Sequence, residues 1–306
     1  MAEFTNWSSG FARPTKIFTA TFLIALCELT SAHAKEFIPP PTEPEGHGEA
    51  MIPETGSMMD SDSSGASSTP FAMNYFGVLY GPSVADPSSY QPNANGAVDS
   101  SLPLLVRNYM TVTYGLSHAV SISATAPWIW QPVLNQELGA KDPYFRVADN
   151  EIFSTEHFSL YGDARFHAPV TTESRAADLL AGVQAFMIAT YQVPGSRFTW
   201  GSYLSARYNV FGSQGTGNDT ILYAGPNLAY QLSPKLALTT LYEMGASHIY
   251  KDKNFALNND GTDLEPGLKW DLTKTVSVNP YLNFFTGNKM NLTSTSLGMT
   301  LSWQLL

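Results

Sequence analysis

Charge is what this chain has least of. Only 14% of its 306 residues are Asp, Glu, Lys or Arg, where soluble domains carry about 25%. The charge present leans acidic, 26 carboxylates against 16 basic residues for a net charge of −10. That balance argues against a nucleic-acid partner, because nothing could neutralise a run of phosphates. Cysteine is nearly absent, with Cys27 the single example, so a chain cleaved beyond it has no disulfides, thiol catalysis or Cys–zinc sites. No segment reaches about 18 unbroken apolar residues, which excludes a helical membrane span. The sequence also has no H-E-x-x-H, G-x-S-x-G or Walker-type loop, and its six histidines show no metal-ligand spacing. No enzyme, cofactor or metal is expected.

What is abundant is Tyr, Phe, Ser, Thr, Asn and Gly, with 12% aromatic residues. They are arranged with period two. From Leu297 to Leu305 the odd positions are Leu297, Met299, Leu301, Trp303 and Leu305, and the even ones Gly298, Thr300, Ser302 and Gln304. A strand with lipid on one side and a polar lumen on the other has this pattern.

The N-terminus has the layout of a secretory signal. Arg13 and Lys16 precede an apolar stretch from Ile17 to Cys27, and Ala32-His33-Ala34 is a cleavage site. Residues 1–34 are therefore expected to be a signal peptide. Residues 35–70 are acidic and rich in Pro, Ser and Gly, a composition that cannot bury a core. They are expected to be disordered, as a periplasmic leader, a partner-binding tail or a segment threaded into a lumen.

Residues 71–306 alternate between strand patterns and turn chemistry. Strands are predicted near 71–80, 104–116, 119–130, 157–168, 179–191, 198–210, 221–232, 235–248, 263–272, 275–285 and 296–306. Short connections at 116–118, 233–235 and 272–274 suit periplasmic turns. Longer ones at 81–103, 131–156, 249–262 (with Asn-Asn-Asp-Gly) and 286–295 suit extracellular loops. This tally is odd, and short and long connections stop alternating between 179 and 232. Single-chain bacterial barrels have even strand numbers, so a strand is hidden in 131–156, with Tyr144-Phe145-Arg146-Val147 the best candidate, or one strand lies outside the ring. The expected fold is all-β, a transmembrane up-and-down antiparallel β-barrel of twelve strands, with ten as the alternative.

Polarity assigns the faces. Val112, Ile122, Leu204, Val278 and their alternates form an apolar side. Trp128, Trp130, Trp200, Trp270 and Trp303 fall on that side near strand ends, where an aromatic girdle belongs. The charged residues fall on the other face: Arg107, Asp163, Arg165, His167, Arg207, Glu243, Glu265, Lys269 and Asp271. Arg or Lys at the bilayer midplane costs about 2–4 kcal/mol on the lipid side, so these charges are expected to line the lumen. They either pair into a network that fills a narrow barrel or line a pore and set its selectivity. Ser117-His118 lies in a turn and Asp163, Arg165 and His167 share one strand face, so a salt-bridge ladder is favoured over acid–base catalysis.

Two short motifs carry a family resemblance. Tyr161-Gly162-Asp163-Ala164-Arg165 with the turn Pro169-Val170, and Tyr230-Gln231-Leu232-Ser233-Pro234-Lys235-Leu236, resemble motifs of Gram-negative outer-membrane barrels grouped with the phenol-degradation-pathway (MetA-pathway) family. The resemblance covers most of 104–306 at the level of pattern. It implies an outer-membrane barrel with a role in uptake of small molecules. The C-terminus departs from the usual assembly signal, with Trp303 as its aromatic and Leu306 last. The expected partners are outer-membrane lipid and lipopolysaccharide, the barrel-assembly machinery and a small solute. A barrel whose loops or tail bind a partner, and an outer-membrane hydrolase, are the competing classes.

Overall fold

The computed structural model describes residues 70–306, except 88–89, 93–97, 134–136, 254–255 and 286–291. The segments read as signal peptide and leader lie outside the described residues, apart from Pro70.

Twelve long antiparallel strands form one ring. They are β1 (Phe71–Ser83), β4 (Leu105–Gly115), β5 (Val120–Trp130), β7 (Tyr144–Ser154), β8 (Phe158–His167), β9 (Leu179–Gln192), β10 (Phe198–Phe211), β11 (Asn218–Ser233), β12 (Leu236–Ile249), β13 (Asn258–Asp271), β14 (Val276–Phe285) and β15 (Thr295–Gln304). Each pairs with its neighbours in chain order. β1 closes the ring by pairing with β15 on one side and β4 on the other. Closure leaves no open sheet edge, which is what a β-structure in lipid requires. Outside the ring, β2 (Tyr90–Pro92) and β3 (Val98–Pro103) form a small hairpin, β6 (Leu138–Ala140) extends the sheet beside the end of β5, and one short helix, α1 (Thr172–Ala176), lies between β8 and β9. No described helix is long and apolar enough to cross a membrane.

The hidden strand is β7. It begins at Tyr144, pairs with β5 from Val120↔Asp149 to Thr125↔Tyr144, and pairs with β8 along its other edge. The stretch 131–156 is therefore not one long loop. With β7 in place, connections alternate throughout. The short ones are 116–119, 155–157, 193–197, 234–235 and 272–275, all at the end of the barrel where Leu305 N–H donates to Met73 O at 2.8 Å. The turn at 193–197 is the one that restores the alternation between 179 and 232. Ser196 N–H donates to Val193 O at 3.1 Å across Pro194-Gly195, and Gly195 has φ 68°, a turn that needs Pro first and Gly second. The Asn-Asn-Asp-Gly run, read as loop, instead begins β13. Asn258 and Asn259 pair with Ser247 and Ala246, and Gly261 with Gly245, across a register shift. Ladder hydrogen bonds offered by the long β12 override the local turn preference.

The two faces separate by chemistry. Large apolar side chains stand on the outside: Val112, Tyr114, Ile122, Phe145, Phe166, Leu204, Leu238, Met244 and Leu297 are all exposed. Buried inside are polar and charged groups such as Thr111, Ser123, Thr125, Gln184, Asn209 and Thr300. This inverts the soluble-protein rule and makes lipid the outer solvent.

Candidate functional site in the barrel lumen

The nine charged positions singled out from sequence all fall on inward-facing rungs. The structure joins some of them and leaves others apart. Asp163 and Arg165 are two residues apart on β8 and so point the same way. Arg165 Nε donates to Asp163 Oδ1 at 2.7 Å and Nη2 to Oδ2 at 2.9 Å, a bidentate pair, while the Tyr161 hydroxyl donates to Oδ2 at 2.7 Å. The guanidinium lies 5.5 Å from the Tyr144 ring centre and 5.3 Å from that of Phe186. Asp163 and Arg165 are each 7% exposed. His167 takes a different course from the expected ladder: its Nε2 meets Gln184 Oε1 at 2.8 Å, and Gln184 Nε2 donates to Ser205 Oγ at 2.9 Å. The network thus runs across strands, from β8 to β10, as the ladder register allows.

From Arg165 the contacts continue across the lumen. Phe186 meets Tyr161 edge-on at 6.1 Å and stacks on Tyr203 at 6.2 Å. The Tyr203 hydroxyl donates to Glu243 Oε2 on β12, skipping β11. Glu243 stands opposite Asp263 in register, and Glu265 is the next inward residue on β13. Asn283 Nδ2 on β14 donates to Glu265 Oε1 at 3.1 Å and Asp263 Oδ2 at 3.4 Å. Next along β14 toward the short-turn end is Tyr281, whose ring occupies the space beside Gly298 of β15. Only glycine leaves room for that ring, so Gly298 is fixed by a close approach rather than by a turn. Gly298 is paired in turn with Tyr80 of β1, over whose ring Arg107 sits at 5.0 Å. The result is a belt of charged and aromatic side chains around the inner wall. Its acidic arc on β12 and β13 lies nearly opposite its Arg-bearing arc on β7 and β8, where Arg146 donates to Ser123 Oγ at 2.9 Å. Arg207 Nε donates to Asn209 Oδ1 at 2.9 Å, and Lys269 pairs with Asp271 at 3.6 Å near the short-turn end.

The tryptophans stand on the outer face. Trp128 and Trp130 are at the long-loop end of β5, while Trp200, Trp270 and Trp303 are near the short-turn end of their strands. Ser117-His118 is an exposed turn: Ser117 Oγ accepts from Ala119 and Val120 N–H, and His118 Nε2 lies 3.7 Å from Glu151.

Sequence reasoning missed Asp263 and Arg146, and also a rim pair in which His248 Nδ1 meets Asp219 Oδ1 at 2.7 Å. Asp219 is the extra residue of a bulge between Asn218↔Ile249 and Thr220↔His248, and bulges are invisible to a period-two reading. Asp263 was legible, since it shares parity with Glu265.

Fold and faces together define the class: a membrane-spanning β-barrel with a polar, charged interior. No protein family matches the chain, nor does any curated protein. Among solved structures the chain is similar to a TodX deltaS2S3 mutant, a monoaromatic hydrocarbon channel, at 9% identity and a TM-score of 0.41, covering 78% of this chain and 92% of that one.

Proposed function

We propose that this protein is a bacterial outer-membrane barrel that passes small solutes through a narrow lumen, its inward charges selecting what enters. The observation that carries this reading is the belt itself. A barrel needs only an apolar outside to sit in lipid, yet this one places four carboxylates and several guanidinium groups where a solute would cross. Buried charges are costly and are kept in membrane proteins chiefly along solute and ion paths. Lipopolysaccharide and outer-leaflet lipid would surround the girdle, and the assembly machinery would insert the barrel. Catalysis has no part in this reading.

One observation favours a second reading. Phe186, at 1% exposure, packs with Tyr161, Ile188, Tyr203, Tyr223 and Leu241, as in a filled interior. A barrel closed by that cluster would serve as a rigid platform for its loops. Swelling of liposomes containing the refolded protein separates the two. Passage predicts swelling that falls as solute size rises; a filled barrel predicts none with any solute.

A further inference from the structure

The acidic arc differs from the other lumenal carboxylates, Asp163 and Asp271, in lacking a basic partner among the described residues. Asp163 has Arg165 and Asp271 has Lys269. Among the described residues, no lysine, arginine or histidine forms an ion pair with Glu243, Asp263 or Glu265. Their hydrogen bonds come from neutral donors alone, the Tyr203 hydroxyl and Asn283 Nδ2. Glu243 and Glu265 are each 4% exposed, so water does little to screen them.

Asn283 supplies an independent sign. It is 8% exposed, its amide nitrogen is held by two of the carboxylates, and its carbonyl oxygen Oδ1 is buried with no partner. The amide cannot be turned over, because that would set its oxygen against Glu265 and Asp263. The arc is therefore rich in acceptors and short of donors. What completes it must donate hydrogen bonds, and the carboxylates favour a donor that carries positive charge.

A metal ion is the poorer fit. Among the described residues, no three His, Cys, Asp or Glu side chains converge as metal ligands, whereas calcium or magnesium needs oxygens about 2.0–2.6 Å from a single centre. A primary ammonium group carries three N–H donors on one charge and tolerates wider spacing. Tyr203 and Tyr281 set aromatic rings beside the arc, and an ammonium ion is attracted to such rings.

We propose that Glu243, Asp263, Glu265 and Asn283 form a recognition site for small organic ammonium ions, so that the lumen favours cationic amines over neutral or anionic solutes. This rests on the reading of the lumen as a passage, and the test separates the two. The full chain, folded in detergent micelles, is titrated calorimetrically near neutral pH with n-butylammonium chloride and, separately, with n-butanol. The expected result is saturable one-to-one binding of the ammonium ion and none of the alcohol. The double variant E243Q/E265Q should bind at least about tenfold more weakly, while Glu151→Gln, at the exposed turn end, binds as wild type. Heat-modifiable migration on gels reports folding; should the double variant fail it, E265Q alone must still weaken binding. Equal affinity for butanol, undiminished binding by the glutamine variants, or no binding by the wild type would each overturn the site. Liposome swelling without ammonium binding removes the site and keeps the passage; binding without swelling does the reverse.

Discussion

Replacing Asp163 with alanine takes the bidentate carboxylate away from a guanidinium buried inside the barrel. Arg165 is 7% exposed and spends two of its donors on Asp163, at 2.7 and 2.9 Å. The Tyr144 and Phe186 ring faces, each worth about 0.5–2 kcal/mol, do not replace a bidentate carboxylate. Breaking a buried pair by removing one partner costs about 3–5 kcal/mol. With urea slopes of about 1–3 kcal/mol per molar, the unfolding midpoint should fall by on the order of 1–5 M. Tryptophan fluorescence of the protein in phospholipid vesicles reads this directly. The partner variant D163A/R165M removes both charges and fills the volume with an apolar side chain, and such replacements are often neutral. It should recover most of the loss, giving a strong coupling in the double-mutant cycle. An Asp163→Ala midpoint equal to wild type, or losses that simply add, would refute the pairing as a stabilising element.

Three further outcomes follow from other parts of the molecule. Tyr75 faces lipid, and its hydroxyl donates to Asn108 Oδ1 at 2.6 Å over Gly77; Tyr75→Phe should cost about 1–3 kcal/mol by leaving that buried acceptor unpaired, read as a lower urea midpoint in vesicles. Gly298→Ala places a methyl inside the Tyr281 ring and should reduce the heat-modifiable folded band on gels, with Tyr281→Ala in the same chain restoring it. In the connection between β6 and β7, burial raises the Asp142 carboxyl, but hydrogen bonds from Ser174, Thr171 and Val170 outweigh it, so its pKa lies below the usual value. A depressed folded pKa gives stability that is present above the unfolded value of about 3.9 and lost as pH falls through the folded one. Hydrogen exchange of residues 168–178 should therefore stay slow at pH 5 and rise below about pH 4 relative to the pH 5 pattern, while Asp142→Asn should already be fast at pH 5.

Period-two polarity carried most of the architecture, because a strand between lipid and a polar lumen has no other way to satisfy both faces. The outward Val112, Ile122 and Leu204 and the inward Ser123, Asp163 and Tyr203 were separable by eye for that reason. β7 was harder. Its far half, Asp149-Asn150-Glu151, is polar on both faces and breaks register against β8 between Asp149 and Phe153. The Pro194-Gly195 turn was readable from its chemistry but was masked by long strands on either side. The belt could not be assembled from sequence at all. Tyr203 meets Glu243 across an intervening strand, and Asn283 reaches Glu265 only because β13 and β14 pair in one register. Parity tells which way a side chain points; ring closure and stagger decide what it meets.

The measurement that bears most directly on the account is single-channel recording of the refolded protein in a planar bilayer under a potassium chloride gradient. The account predicts discrete steps with a reversal potential showing preference for cations, and loss of that preference in E243Q/E265Q. A silent bilayer with protein shown to be inserted, or steps that favour anions, would contradict it.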